Sequence, residues 1–460
     1  MPADEMTMKS EKPRSHNAMR FGGKTFESGE TSHSGWEPGK VHILWREPPQ
    51  GDEMAVTSSA VKAIREKWGF IEAVDAIHPG GDESGVPSRV TEYRFPETAD
   101  VVSIARELRE APEVENAAPV PKPAPPRVTP ADEPLVGLDD QLAPRDPNGL
   151  ERQWYLFRCN VLDAWSQNVS GDGVVVADID FGYRLTHQDL APRFSLANAF
   201  NAYDGTAVVT AGGWTDHGTA VCGLLGADAN GNGMAGIAYR AEIWPIQAND
   251  GNGPPLAGNA FASAVEWVRA RSAGGRRKVI NVELQTPWPV CGNAEQNLAL
   301  NEAIRLAVKD GVVVVLSAGN GDRDAGLADN NTDPIPESGA IVVGATVFDS
   351  VVNRRATFSN FGPRVAVSAP GDERHDVTCG VSGDDRYTNF FGGTSGAAAK
   401  VAATVALMLE ANPRLTPAEV RDILVRTGGP IDHAPGKAVG VFLDAGAAVQ
   451  AAKASLNDSL

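Results

Sequence analysis

Three short stretches set far apart in a 460-residue chain hold residue types that can do nucleophilic chemistry: Asp180-Phe181-Gly182, His217-Gly218-Thr219 and Gly393-Thr394-Ser395. A serine hydroxyl is a poor nucleophile until a base takes its proton. A histidine can be that base, and a buried carboxylate can hold its ring in the required tautomer. Asn320, in VVVVLSAGN, offers an amide NH₂ of the kind that steadies a developing oxyanion. Asp180 is thus the candidate orienting carboxylate, His217 the general base and then acid, and Ser395 the nucleophile. Asn320 is the oxyanion donor, beside the Ser395 backbone amide. Asp178, two residues before Asp180 and on the same strand face, is the alternative carboxylate. An unpaired carboxylate there is costly, so a buried partner or a raised pKa is expected of it.

These residues need elements to carry them. From about residue 150, strands and helices alternate: VVVADI, a helix opening at His217, AEIWPIQ, GNAFASAVEWVRARSA, KVINVEL, AEQNLALNEAIRLAVKD and GVVVVLS. AIVVGAT and RVAVSAP follow, then a helix beginning at Ser395 and, after the capping box in LTPAE, the helix AEVRDILVRTG. Unbroken β-branched runs between helices predict an α/β fold, a doubly wound and mostly parallel sheet covered on both faces. Ligands of such sheets sit beyond the carboxyl ends of the strands. Asp180 follows VVVADI and Asn320 follows GVVVVLS, so both belong at one edge. Gly182 permits a tight turn after the acid, and His217 and Ser395 each open a helix, at its positive dipole end.

The chain order Asp, His, Ser differs from the α/β-hydrolase order Ser, Asp, His and from the chymotrypsin order His, Asp, Ser. With VVVADIDFGYRLTHQDL, HGTAVCGLLGADANGNGMAGIA, VVVVLSAGN and GGTSGAAAKVAA, the chain resembles the subtilases, the subtilisin-like serine peptidases, from about Gln153 to about Ala452. The resemblance implies a serine endopeptidase acting on polypeptides, made as a zymogen, working as a monomer and needing no cofactor for catalysis. It favours Asp180 over Asp178, because the spacing to Asp189 matches D-x-G…H-x-D-L. It implies that substrate pairs with the backbone at Gly251-Asn252-Gly253 and Glu283-Leu284-Gln285. Members usually read Ser-Leu-Gly at the second segment, so Glu283 and Gln285 would put bulk and charge at the rim of the S1 pocket and favour a basic or polar P1 side chain. The alternative leaves Glu283 in solvent. A structural calcium held by Asp189 and Asn230 is also implied, against a Gly/Asn-rich turn over 228–234 that needs no metal.

The serine block departs from the usual G-T-S-M-A-A-P-H: Gly396, Ala399 and Lys400 stand for Met, Pro and His, which touches the helix kink and the leaving-group side, not the nucleophile. A lipase elbow G-x-S-x-G is broken by Ala397. A catalytically silent peptide-binding protein and a serine esterase are the alternative functions.

Upstream, KVHILW, VTSSAVKAIREKWG, FIEAVDAI, SRVTEYRF, DVVSIARELREA and VENAAPV read as βαββαβ, a small α+β ferredoxin-like unit over 39–119. By resemblance it is a propeptide that templates folding and then inhibits the active site in cis; an unrelated accessory domain is the competing reading. Residues 1–38 lack periodicity and are expected to be disordered, 120–149 form a Pro-rich acidic linker holding the maturation site, and 150–460 form the catalytic domain. The net charge of −18 argues against nucleic acid or an anionic membrane as partner. Four irregularly spaced cysteines read as buried thiols, with Cys222 packing in the His217 helix. The N-terminus lacks the apolar core of a secretory signal, which predicts a cytoplasmic protein as made, with leaderless export as the alternative.

Overall fold

The structure, a computed structural model, describes residues 36–46, 58–75, 90–121, 152–209, 215–249, 258–287, 289–329, 332–349, 351–380 and 382–457. It divides into two units, Met1–Arg127 and Val128–Leu460. Most of the 1–38 extension, the linker from residue 122 onward and the subsite segment Gly251-Asn252-Gly253 lie outside the described residues.

The first unit runs β1 (Trp36–Trp45), α1 (Ser59–Trp68), β2 (Glu72–Asp75), β3 (Val90–Arg94), α2 (Val101–Arg109) and β4 (Val114–Pro121). Its antiparallel sheet has the order β2-β3-β1-β4, which is the ferredoxin-like arrangement. Strand β1 begins at Trp36, inside the stretch expected to be unstructured. Alternate residues of β1, Val41 and Ile43, meet Ile104 and Leu108 of the amphipathic α2 in one buried core.

The second unit begins with α3 (Trp154–Arg158) and α4 (Val161–Ser166), followed by β5 (Val174–Asp180), β6 (Phe200–Asn201), α5 (Thr215–Gly226), β7 (Glu242–Gln247), α6 (Gly258–Ala270), β8 (Arg277–Val282), α7 (Leu298–Lys309) and β9 (Val313–Ser317). Then come β10 (Ile341–Val347), β11 (Arg354–Arg355), β12 (Val365–Pro370), β13 (Thr378–Cys379), β14 (Tyr387–Thr388), α8 (Gly393–Ala411), α9 (Pro417–Thr427), β15 (Val441–Phe442) and α10 (Ala445–Asn457). The main sheet has the order β15-β12-β10-β9-β8-β5-β7-β6, parallel throughout, with β11 antiparallel on β10.

Every residue of β5 is buried, as a strand covered on both faces requires. Its side chains alternate between two cores. Val174 and Val176 face the layer with α5, α8 and α10, while Val175, Ala177 and Ile179 face the layer with α6 and α7. Helix α8 is buried on nearly every side, and its alanines let it lie close under β9, β10 and β12. No helix among the described residues is long and apolar enough to cross a membrane.

Candidate active site

Strand β5 ends on Asp180, and β9 ends three residues before Asn320, so both emerge at the carboxyl edge of the sheet. Helix α5 brings His217 to that edge. A Cβ on Gly218 would stand 2.5 Å from the Gly182 carbonyl oxygen, so glycine is what lets α5 approach the turn after β5. His217 Nδ1 consequently lies 2.8 Å from both oxygens of the fully buried Asp180. Asp180 Oδ1 also accepts from the Phe181 amide at 2.6 Å. The imidazole is flanked by the Phe181 and Phe391 rings, 5.1 and 5.3 Å away centre to centre.

Helix α8 packs against α5 and carries Ser395, half-buried, in its first turn. Gly393, at φ 70°, makes the sharp entry; a Cβ there would be strained and would sit 3.2 Å from Asn320 Nδ2. The Asn320 side chain is tightly held. Its Oδ1 accepts from the Thr394 amide at 2.9 Å and the Thr394 hydroxyl at 3.0 Å, and its backbone amide donates to Gln285 Oε1 at 2.9 Å. With Oδ1 committed, the NH₂ group is the end left to face a ligand. The roles of Thr394 and Gln285 as holders of Asn320 were not visible in the sequence, since they depend on the approach of α8 to the loop after β9. Gln285 Oε1 is therefore engaged by the Asn320 backbone.

The two acids differ in their contacts. His217 pairs with Asp180, whereas Asp178 Oδ1 accepts from Asn281 Nδ2 at 2.9 Å and its Oδ2 lies 3.6 Å from Cys222 Sγ. Burial first, and then the charge of Asp180, push the Asp178 carboxyl well above the usual carboxylate range. Glu283 is neither at a pocket rim nor in solvent. It is 1 % exposed, its amide donates to the Ile179 carbonyl, and its Oε1 accepts from Asn281 Nδ2 at 2.8 Å. The inward direction follows from the strand: Asn281 and Glu283 are two residues apart and share one face of the sheet. Leu284 takes the Ser317 hydroxyl on its carbonyl.

Lys400 stands where the usual serine block has His, and it is a buried ammonium. Its Nζ, fully buried, donates to Asp376 Oδ2 at 2.8 Å, to the Pro370 carbonyl at 2.9 Å and to the Gly396 carbonyl at 3.1 Å, over the face of Tyr155. It ties the start of α8, at Gly396, to the end of β12, at Pro370.

A family model for the subtilase family matches residues 171–448, which includes all four candidate catalytic residues. The chain belongs to the subtilase family. Among curated relatives, this subtilase is 30% identical over 59% of its length to the minor extracellular protease Epr of Bacillus subtilis, and 31% identical over 67% to the extracellular basic protease of Dichelobacter nodosus. It spans 37% and 56% of those proteins. Among solved structures, a protease from Pseudoalteromonas arctica superposes with a TM-score of 0.54 at 28% identity, over 67% of the subtilase and 99% of that chain. Both curated relatives are named as extracellular, and this overturns the cytoplasmic location expected from the N-terminal segment.

The expected calcium ligands of the subtilase are already engaged. Buried Asp189 accepts from the Tyr387 hydroxyl at 2.7 Å, from the Met234 amide at 3.4 Å and from Asn230 Nδ2 at 3.2 Å. Asn230 Oδ1 turns back to Asn232, accepting from its backbone N at 2.9 Å and its Nδ2 at 3.1 Å. Calcium takes six to eight oxygen ligands, whereas Asp189 here is surrounded by hydrogen-bond donors. The phenol of Tyr387 sits so low over the loop that a Cβ on Gly233 would fall 1.8 Å from it. His187, Asp189 and Cys379 offer ligand atoms within 4.8 Å of one another, but His187 Nε2 is held by the Arg386 carbonyl at 2.9 Å and Nδ1 by the Asp189 amide at 3.3 Å. The donor set does not fit calcium. EDTA is expected to shift the melting temperature by less than about 1 °C, while Tyr387→Phe, which strips a buried carboxylate of its best donor, should cost about 1–3 kcal/mol. A drop of several degrees in EDTA would show a bound cation after all.

Proposed function

We propose that this subtilase is a serine endopeptidase that hydrolyses peptide bonds through an acyl-enzyme. The observation that carries this reading is the pairing of His217 Nδ1 with both oxygens of buried Asp180 at the sheet edge that also presents Ser395 and Asn320. With Nδ1 committed to the carboxylate, Nε2 takes the Ser395 proton as the hydroxyl attacks the scissile carbonyl, and Asp180 stabilises the imidazolium that forms. The oxyanion is met by Asn320 Nδ2 and the Ser395 amide, whose position in the first turn of α8 adds a favourable helix dipole. His217 then protonates the leaving amine, and water repeats the sequence on the acyl-enzyme. An extended polypeptide would add as a strand along Glu283-Leu284-Gln285.

The ferredoxin-like unit serves as propeptide and inhibitor in cis, and cleavage in the linker releases it, outside the cell as for the relatives named extracellular. Wild-type protein is expected to cleave casein, to be labelled on Ser395 by a fluorophosphonate, and to lose mass on incubation through a cut between residues 120 and 149. Ser395→Ala should do none of these. Trimming by both proteins, or a wild type inert to the fluorophosphonate, would overturn the reading in favour of a silent peptide-binding protein.

A further inference from the structure

Asp178, Asp180 and Glu283 put three carboxyl groups at the floor of the site, each at most 1 % exposed. Asp180 is taken by His217. The other two share one amide group, Asn281 Nδ2, through Asp178 Oδ1 and Glu283 Oε1. Cys222 supplies a weak donor to Asp178 Oδ2. Glu283 Oε2, though buried, has no hydrogen bond of good geometry among the described residues. The Ser395 hydroxyl is within reach of the Glu283 carboxyl.

Three negative charges in one buried site repel strongly, because so little water is there to screen them. Burial first, then the charges of Asp178 and Asp180, push Glu283 well above the usual carboxylate range. A neutral carboxylic acid has an O–H to place, and the oxygen without a partner is Oε2.

We propose that Glu283 is a positioning residue for the nucleophile: as a neutral acid it donates Oε2–H to Ser395 Oγ and leaves the serine's own proton to His217. This rests on the endopeptidase reading above. Its sign in pH follows from which group donates. Ionised Glu283 becomes an acceptor and draws the Ser395 proton away from His217, so activity falls as pH rises through that ionisation. The titratable groups packed around it are Asp178 and Asp180 from β5 and, through them, His217 and Cys222 from α5. Lys400 of α8 is paired with Asp376.

The test is kcat and KM for a peptide substrate from about pH 5 to 11, with melting curves, for wild type, Glu283→Gln and Glu283→Ala. Gln keeps a donor and cannot ionise. It is expected to hold kcat at neutral pH within about threefold and to move the alkaline limb up by at least about one pH unit. Ala should lower kcat about tenfold with KM unchanged, the mark of lost orientation without lost binding. An alkaline limb for Gln that coincides with wild type, or equal losses for Gln and Ala, overturns the proposal. If neither variant folds, the pH dependence of fluorophosphonate labelling of wild-type Ser395 decides: a fall at the alkaline end supports it, and a rate climbing steadily to the end of the range refutes it. A wild type inert at every pH overturns the endopeptidase reading itself, which the variant profiles cannot do.

Discussion

Asn320→Ala is expected to lower kcat by about 10²–10³, a range that comes from removing such an amide in a subtilisin, and to leave KM within about threefold. The asymmetry is the informative part. The ground-state carbonyl makes little demand on the Asn320 NH₂, whereas the tetrahedral oxyanion places full charge there, so the interaction is worth most in the transition state. Thr394 makes the amide a fixed donor, because its N–H and hydroxyl both hold Asn320 Oδ1 and prevent the amide from turning over. Asn320→Asp should be worse than Ala, since it sets an anion where negative charge develops. Steady-state kinetics on a chromogenic peptide measure this directly. A rise in KM with kcat untouched would mean that Asn320 binds substrate and not the transition state.

Lys400→Met is expected to destabilise the catalytic unit by about 3–5 kcal/mol, the cost of stranding one partner of a buried ion pair, and to lower its melting temperature by on the order of 10 °C. Met nearly matches the volume, so the loss is electrostatic. Asp376 is already short of partners, with Oδ1 unbonded among the described residues, and burial raises its pKa in spite of the ammonium beside it. Removing Lys400 raises it further. A carboxyl whose folded pKa lies above its unfolded one adds full stability below the unfolded value and loses it as pH rises through the folded value. The deficit of Lys400→Met should therefore be small near pH 4 and grow toward neutrality. Adding Asp376→Leu should recover most of it, because an apolar pair tolerates the site that a lone carboxylate does not. Chemical denaturation of the two variants at acid and neutral pH checks the sign. Equal deficits at both would show that packing, not charge, is lost.

The frame of the site was legible because it is written in local patterns. Seven consecutive buried residues in β5 appear in the sequence as VVVADID, and a residue at the carboxyl end of such a strand has only one edge to occupy. The short elements were not legible. Two-residue strands such as β13 and β14 carry no periodicity, and it is β14 that delivers Tyr387 to Asp189. The hydrogen bonds that engage the expected calcium ligands were not legible for that reason, as a loop composition suited to a cation says nothing about a phenol arriving from 198 positions away. Glu283 was misplaced at the pocket rim because its direction depends on Asn281 and on Asp178, 103 positions earlier than Asn281.

By itself the sequence determined which residues could act and in what order along the chain: an acid closing a buried strand, a base and a nucleophile opening helices, and an amide following a second strand. Spacing and hydrophobic period suffice for that, because backbone geometry is local. Tertiary structure decided which of two neighbouring carboxylates meets His217, that Glu283 turns inward to Asn281, and that Asp189 accepts from Tyr387. Those outcomes depend on burial and hydrogen-bond partners supplied by distant segments. The electrostatic cost of a buried charge is fixed only once the chain has closed around it.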